Sequence, residues 1–319
     1  MRKHSIGCVV AAAVWLALGC IGTAVESPDL RGPFLVEEYQ TSLRDDVRNR
    51  SMDLQLFLPV SLGEPIARPL IIFNHGFLLS ASGYRSYGEH LASHGFVVAL
   101  PSFPASLLSV HHAKLAEDVR FVIDMLLTAT GDESHPLFGR IDPQRIGASG
   151  HSLGGKLSLL EAVSDERIDA IAVLDPVDAG NPLWDDPVRY PSVAPELMPE
   201  ITVPLLFVGA ELGSKLILLS PCAPGDENYQ RFYEAANAPA IEITQLDVGH
   251  SQYVDEGVAD EINPCPRGDV DSEWVRSSSR TYITAFFLGW LAEDREALDW
   301  LDDRLEEDTL LGHIEVRQK

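Results

Sequence analysis

The stretch R-I-G-A-S-G-H-S-L-G-G-K, residues 145–156, predicts a buried strand, a sharp turn and a helix. Residues 150–154 match the pattern G-x-S-x-G, the nucleophile elbow, in which a strained turn lifts a serine oxygen above the end of a strand. The glycines on both sides of Ser152 leave room where side chains would collide with the neighbouring strand and helix. Because five residues can match by chance, the rest of the chain decides whether the pattern has this meaning.

Apolar runs typical of strands buried on both faces recur along the chain and alternate with helical patterns. These runs lie at residues 70–73, 96–100, 170–174, 204–208 and 241–246, the last of which we expect to be the final strand. Amphipathic patterns at residues 115–127 and 274–291 predict covering helices. This order predicts an α/β fold of the doubly wound class, a mostly parallel sheet with helices on both faces, in a single domain spanning residues 30–293.

Two segments depart from this alternation. Residues 178–200 contain five prolines and begin at the carboxyl end of a predicted strand, where open α/β sheets bind ligands. We interpret them as an irregular wall of a pocket, with a plain surface loop as the alternative. Residues 294–319 are acidic at their start and follow the last long helix, which predicts a partly helical, solvated C-terminal tail.

The composition limits the class of partner. The 319-residue chain has 24 Lys plus Arg against 48 Asp plus Glu, a formal net charge of -24. Such a charge repels polyanions, so we expect no nucleic-acid partner. A neutral ester feels this field only weakly, and the charge therefore leaves the substrate open.

The N-terminus has the outline of an export signal over residues 1–24: a basic start, an apolar run and the small residues Gly22, Thr23 and Ala24. Three outcomes compete, namely cleavage after Ala24, lipidation of Cys20, and retention as an uncleaved anchor. We favour removal or lipid anchoring. The expected location is periplasmic or extracellular, with membrane attachment only through the N-terminus.

Export also bears on the cysteines. Cys8 and Cys20 lie in the signal, which leaves Cys222 and Cys265 as a pair in a chain bound for an oxidising compartment. We predict that they form a disulfide. Two buried thiols are the alternative.

A serine hydroxyl needs a base in contact with it and a carboxylate that orients the base. In chains with G-x-S-x-G the order is serine, acid, histidine. Of the ten histidines, His250 directly follows a predicted strand, whereas His313 lies in the tail, so we predict His250 as the base. We expect His151 to point away from the pocket of Ser152. The histidines that we interpret as surface residues are His111, His112 and His135.

Three carboxylates could orient the base. Asp175 ends the strand beside the elbow, Asp178 lies in what we interpret as looser chain, and Glu211 follows the next strand. We prefer Asp175 because Pro176 stiffens the turn after it, and a held carboxylate orients imidazole better. Asp247 is expected to stabilise its loop.

Negative charge that develops on a carbonyl oxygen needs donors placed in advance. The backbone N–H of Leu153, the first residue of the elbow helix, is one predicted donor. Phe77 is the other, since His75, Gly76 and Phe77 match the HG-type oxyanion motif after a strand. We expect the side chains of Asn74 and His75 to support that loop.

Six spaced motifs in this order resemble the chlorophyllase family of α/β-hydrolases. They are HGFLLSASGY (75–84), ASHGFVVALP (92–101), GHSLGGK (150–156), LDPVDAG (174–180), PCAPG (221–225) and DVGHSQYVD (247–255). The resemblance implies an esterase with Ser152, Asp175 and His250 as its triad, without a metal or an organic cofactor. Polyester hydrolases and platelet-activating-factor acetylhydrolases look similar around residues 142–155.

One departure concerns the substrate. Plant chlorophyllases usually have arginine directly after the nucleophile, whereas this chain has Leu153. We therefore expect a carboxylic ester hydrolase acting on a small-molecule or lipid-like ester, with chlorophyll less favoured. Lactonase, thioesterase and polyester or lipid-ester hydrolase are alternatives that use the same triad. A catalytically inactive hydrolase fold used for binding is the non-enzymatic alternative.

Overall fold

The structure is a computed structural model that describes residues 27–60, 63–103, 110–180, 186–216, 221–257 and 265–319. The predicted export signal lies outside the described residues, as do Cys8 and Cys20. Within the described ranges, none of the helices combines the length and the apolar character that crossing a bilayer requires.

The strands of the described chain form one sheet. They are β1 (Val36–Asp45), β2 (Arg50–Pro59), β3 (Arg68–Asn74), β4 (Val97–Ser102), β5 (Ile141–His151), β6 (Ile168–Leu174), β7 (Leu205–Ala210), β8 (Ala240–Gln245) and β9 (Ile314–Gln318). Their order is β1-β2-β4-β3-β5-β6-β7-β8-β9. The pairs from β4 to β8 are parallel, and the antiparallel pairs lie at the two edges. The mostly parallel, doubly wound sheet is therefore confirmed.

Helices cover both faces of this sheet. They are α1 (Arg85–Ser93), α2 (His112–Gly131), α3 (Leu153–Ala162), α4 (Tyr229–Ala235), α5 (Ser272–Leu291) and α6 (Arg295–Leu310). Buried side chains of α1, α5 and α6 belong to one core cluster, and those of α2 to α4 belong to two others. The predicted arrangement with helices on both faces is thus confirmed.

The burial of strand β3 on both faces explains why its sequence is continuously apolar and does not alternate. Leu70 and Ile72 pack in the cluster with α2, whereas Ile71 and Phe73 pack in the cluster with α1 and α5. All four side chains are at most 1% exposed. Both faces of the strand need apolar residues, so the run is continuous.

The prediction that residues 241–246 form the last strand is wrong. Strand β9 pairs antiparallel with β8, with Val316 opposite Ile243. The segment expected to be a solvated tail is helical in α6, but α6 buries Leu301 and Leu305 in the core. Five residues that alternate between apolar and polar carry too weak a signal to be recognised as a strand without their partner strand.

Cys222 and Cys265 form the predicted disulfide, with a Cα–Cα distance of 5.8 Å. Cys222 lies in the segment after β7, and Cys265 lies in the segment that precedes α5. The bond closes a loop of 43 residues. It therefore links two segments that the sheet alone does not join.

We expect the Cys222→Ser, Cys265→Ser double variant to unfold at lower urea concentration than the wild type. Loss of a closed loop of this length lowers the free energy of unfolding by at most about 4 kcal/mol in the chain-entropy model. The control is wild-type protein unfolded in a thiol reductant, which should match the double variant. Equal midpoints for oxidised wild type and double variant would contradict a stabilising disulfide.

Candidate active site

The elbow has the geometry that its sequence predicts. β5 ends at His151, α3 begins at Leu153, and Ser152 between them has φ 57° and ψ −122°. A positive φ is rare for a residue other than glycine, and such strain persists only where the surroundings enforce it. Here a Cβ on Gly154 would lie 2.0 Å from the carbonyl oxygen of Asn74. The elbow therefore packs directly against the end of β3.

Three side chains from three strand ends form a hydrogen-bonded chain. The hydroxyl Oγ of Ser152 lies 2.9 Å from Nε2 of His250. Nδ1 of the same imidazole lies 2.6 Å from Oδ2 of Asp175. Asp175 is fully buried and His250 is 4% exposed, so water has little access to their contact. The structure thus brings together the serine, the acid and the histidine that the sequence predicted.

The carboxylate of Asp175 is held on its second oxygen as well. The backbone N–H of Ala210, at the end of β7, donates to Oδ1 of Asp175 over 3.2 Å. The N–H of Asp175 itself donates to the carbonyl of Val208 over 2.6 Å. Neighbouring strand ends therefore fix the direction in which this carboxylate meets His250.

The other two candidate acids have different partners. Asp178 is buried in an ion pair with Lys156, 3.1 Å from its ammonium, and its carboxylate accepts from the N–H of Val193 and Ala194. The expectation of looser chain at Asp178 is therefore wrong, because this residue fixes the start of the 178–200 segment. Glu211 accepts from the backbone N–H of Asp247 over 2.8 Å.

Asp247 itself acts within its loop, as expected. Its carboxylate Oδ2 accepts from the N–H of Asp269 over 2.9 Å. Neither Glu211 nor Asp247 has a hydrogen bond to His250 within the described part of the chain. Among the candidate acids, Asp175 alone meets the imidazole in these residue ranges.

Two interpretations of histidines are wrong. His112 is 4% exposed, lies edge-on to Tyr190 with ring centroids 5.0 Å apart, and lines the cavity above Ser152. His151 also lines that cavity, and its ring lies 4.6 Å from the ring of His250. The sequence shows neither that α2 begins at the pocket nor that the elbow turn brings the ring of His151 next to that of His250. His135 is exposed, as expected.

The cavity has a volume of about 370 Å³ and contains both Ser152 and His250 in its wall. Its other walls are largely apolar. Ala179 and Gly180 contribute to it, as does Val177 just before them, which supports the interpretation of the start of the 178–200 segment as a pocket wall. The remaining lining residues are Gly76, Phe77, Leu78, Leu79, Val110, His112, His151, Leu153, Pro221, Cys222 and Cys265.

Both predicted oxyanion donors lie at this cavity. Phe77 and Leu153 line it, and their backbone N–H groups have no hydrogen-bond acceptor within the described ranges. The loop that carries Phe77 is held by its neighbours: Asn74 donates to Ser158 Oγ over 2.9 Å, and the N–H of Phe103 donates to Nε2 of His75 over 3.0 Å. The supporting role expected for Asn74 and His75 agrees with these contacts.

Burial determines the charge of the polar groups around the cavity. It lowers the pKa of His75 and lowers that of His151 well below the ordinary range of imidazole. Burial, followed by the nearby Lys156 charge, lowers the pKa of His112 to about 3. These three imidazoles are therefore neutral at pH 7.

Within the described ranges, no group of three or more His, Cys, Asp or Glu side chains has an arrangement that could hold a metal ion.

Known proteins show similarity over most of the chain. The family model described as Chlorophyllase matches residues 31–310. Chlorophyllase-2 of Arabidopsis thaliana is 24% identical over 254 residues, covering 75% of this chain and 79% of that protein. Cutinase est2 of Thermobifida alba is 30% identical over 187 residues, covering 56% of this chain and 55% of the cutinase.

A solved structure supports the fold. Ferulic acid esterase from Streptomyces cinnamoneus superimposes with a TM-score of 0.63 at 21% identity, over 82% of this chain and 92% of that one. Because the family match spans most of its length, the chain belongs to the chlorophyllase family and is a serine hydrolase of carboxylic esters with the α/β-hydrolase fold.

Proposed function

We propose that this esterase acts through an acyl enzyme on Ser152, with His250 as general base and acid and Asp175 as the carboxylate that orients the imidazole. The observation that carries the proposal is the continuous contact from Ser152 Oγ through the imidazole to Asp175, at 2.9 Å and 2.6 Å. A weak hydroxyl nucleophile requires this kind of contact with a base that is itself oriented.

The chemistry follows from the positions of these groups. Ser152 Oγ attacks the ester carbonyl as its proton passes to Nε2 of His250, and the N–H groups of Phe77 and Leu153 stabilise the oxyanion. The tetrahedral intermediate collapses when His250 gives that proton to the leaving alcohol. Water, activated by the same imidazole, then attacks the acyl enzyme and releases the acid. Asp175 keeps the Nδ1 proton directed away from the serine throughout.

The cavity favours an uncharged substrate. Its walls include Leu79, Val110 and Val177, and none of its described lining residues is an Asp, Glu, Lys or Arg that could pair with a carboxylate or ammonium on the substrate. The volume of about 370 Å³ lies in the range, roughly 300–1,000 Å³, of pockets that hold small organic molecules. We therefore propose a small-molecule or lipid-like ester as substrate. The leucine at position 153, where the plant enzymes usually have arginine, leads us to rank chlorophyll below simpler esters.

The disulfide supports the proposal of export. Cys222 and Cys265 are joined, as expected of a protein that folds in an oxidising compartment. We propose that residues 1–24 direct export and that Cys20 is the attachment site if a lipid anchor is added. Mass spectrometry of the mature N-terminus distinguishes the outcomes: a new terminus at residue 25 indicates cleavage, and a lipid mass on Cys20 indicates anchoring. An intact N-terminus without lipid would contradict processing of the signal.

Replacement Ser152→Ala should abolish hydrolysis of a short-chain p-nitrophenyl ester, with a loss in kcat on the order of a million-fold, because the nucleophile is absent. Circular dichroism should be unchanged, since the substituted side chain only loses its oxygen. A fluorophosphonate probe should label the wild type and leave the variant unlabelled. Substantial residual turnover by a folded variant would refute the acyl-enzyme mechanism.

Asp175→Asn and Glu211→Gln form a matched pair that tests the acid. The first should lower kcat by about ten-thousand-fold, because an amide no longer holds the required imidazole tautomer. The second removes a charge whose hydrogen bond in the described part of the chain is to the N–H of Asp247, so kcat should change by a few-fold at most. Steady-state kinetics at saturating ester measure both. The opposite ranking would identify Glu211 as the orienting acid.

A further inference from the structure

We propose that His151 and Tyr84 form a positioning pair that holds the loop of the oxyanion donor Phe77 in register with the loop of the base His250. The inference rests on the function proposed above, in which those two loops act on the same reacting carbonyl. His151 and Tyr84 are positioning residues here, since they act through the groups to which they are bonded.

Three hydrogen bonds form the link. The backbone N–H of Gly76 donates to the hydroxyl oxygen of Tyr84 over 3.2 Å. That hydroxyl lies 2.7 Å from Nδ1 of His151, and Nε2 of His151 lies 2.9 Å from the carbonyl oxygen of His250. One continuous path therefore runs from the residue before Phe77 to the backbone of the base.

The direction of each hydrogen bond follows from the chemistry of its partners. The carbonyl of His250 can only accept, so Nε2 of His151 carries a proton. Tyr84 already accepts from Gly76 and has one proton to give, and Nδ1 of a neutral His151 has the lone pair that receives it. Each partner is thus assigned as donor or acceptor in each hydrogen bond. A second proton on His151, or a flip of its imidazole ring, would break the path.

Burial maintains these donor and acceptor assignments. Tyr84 is 0% exposed and His151 is 1% exposed, so bulk water has little access to their hydrogen bonds. Burial lowers the pKa of His151 and raises that of Tyr84, which keeps both side chains neutral. A charged His151 would also lie next to the imidazole of His250, at a ring-centroid distance of 4.6 Å. The pair is therefore a fixed element over the ordinary working range of pH.

The link spans a gap that the sheet does not bridge directly. Phe77 follows β3 and His250 follows β8, and β5, β6 and β7 lie between these strands. His151 is the last residue of β5, a strand between β3 and β8, and it is connected to the His250 loop directly and to the Phe77 loop through Tyr84. A misplacement of a catalytic group by about 1 Å can cost roughly a hundred-fold in rate. The hydrogen bond from His151 to the His250 loop, and its connection through Tyr84 to the Phe77 loop, limit such misplacement.

The decisive variant is Tyr84→Phe, which removes one oxygen and retains the ring that packs against Phe73 at 5.2 Å. We expect kcat for a p-nitrophenyl ester to fall roughly ten- to hundred-fold with KM nearly unchanged, since the affected groups act in the transition state. The control is Tyr282→Phe, which removes another buried hydroxyl, bonded to Asp308 at 2.6 Å and remote from the cavity. It should lower thermal stability and leave kcat unchanged.

A double-variant cycle shows whether Tyr84 and His151 affect kcat through one shared path or independently of each other. Tyr84→Phe and His151→Phe break the same path, so the combined variant should lose little more kcat than the worse single variant. His151→Gln, whose amide N–H can still donate to the His250 carbonyl, should retain more activity than His151→Phe. It also provides a test if the phenylalanine variants fold poorly. Losses that multiply in the double variant would overturn the proposal, as would His151→Gln matching His151→Phe in a folded protein.

Labelling by a fluorophosphonate distinguishes failure of this inference from failure of the proposed function. The probe needs Ser152, the base and the oxyanion donors, so Tyr84→Phe should react more slowly than the wild type and Tyr282→Phe at the wild-type rate. If the wild type is not labelled at Ser152, the acyl-enzyme function itself fails. If the wild type is labelled and Tyr84→Phe reacts equally fast with unchanged kcat, only the positioning pair is refuted.

Discussion

The close packing of the elbow against the end of β3 is the contact on which the rest of the site depends. A Cβ at Gly150 or Gly154 would lie 2.6 Å or 2.0 Å from the carbonyl oxygen of Asn74, so glycine is required at both positions. The same packing holds Ser152 at φ 57°. Because Asn74 ends the strand that leads into the Phe77 loop, one steric contact sets the distance between the proposed nucleophile and a proposed oxyanion donor.

Around this contact, buried polar groups with defined partners position the other elements. Asp175 receives an N–H from β7 and meets His250, while Asp178, three residues later, pairs with Lys156 of the elbow helix and holds the next segment through Val193 and Ala194. An unpaired charge at either place would be costly in so buried a position. Two nearby carboxylates thus have separate functions: Asp175 contacts His250, and Asp178 holds the segment that begins at the pocket wall.

The pocket has the polar side chains of Ser152 and His250 on one side, and its other walls are largely apolar. This division is expected of a site that is selective for the type of reaction and tolerant of substrate shape. The walls come from segments distant in sequence: the Phe77 loop, the start of α2, the chain after β6, and the two cysteines. The chain belongs to the chlorophyllase family, and Leu153 lies in the wall of the pocket. We propose that the triad defines the chemistry and that the walls define which ester can enter.

Sequence patterns were sufficient to predict the class of fold, the elbow, the three triad candidates and the cysteine pair, because these depend on local patterns of apolar residues and on motifs with characteristic spacing. Tertiary structure alone decided which residues meet. It added β9, whose five residues are recognisable as a strand only beside β8, and it gave Asp178 a buried partner. It also brought His112 and His151, read as a surface histidine and as one pointing away, to the cavity. Contacts between segments that are far apart in sequence produce no periodic pattern of apolar residues. The contacts of β9, Asp178, His112 and His151 therefore could not be predicted.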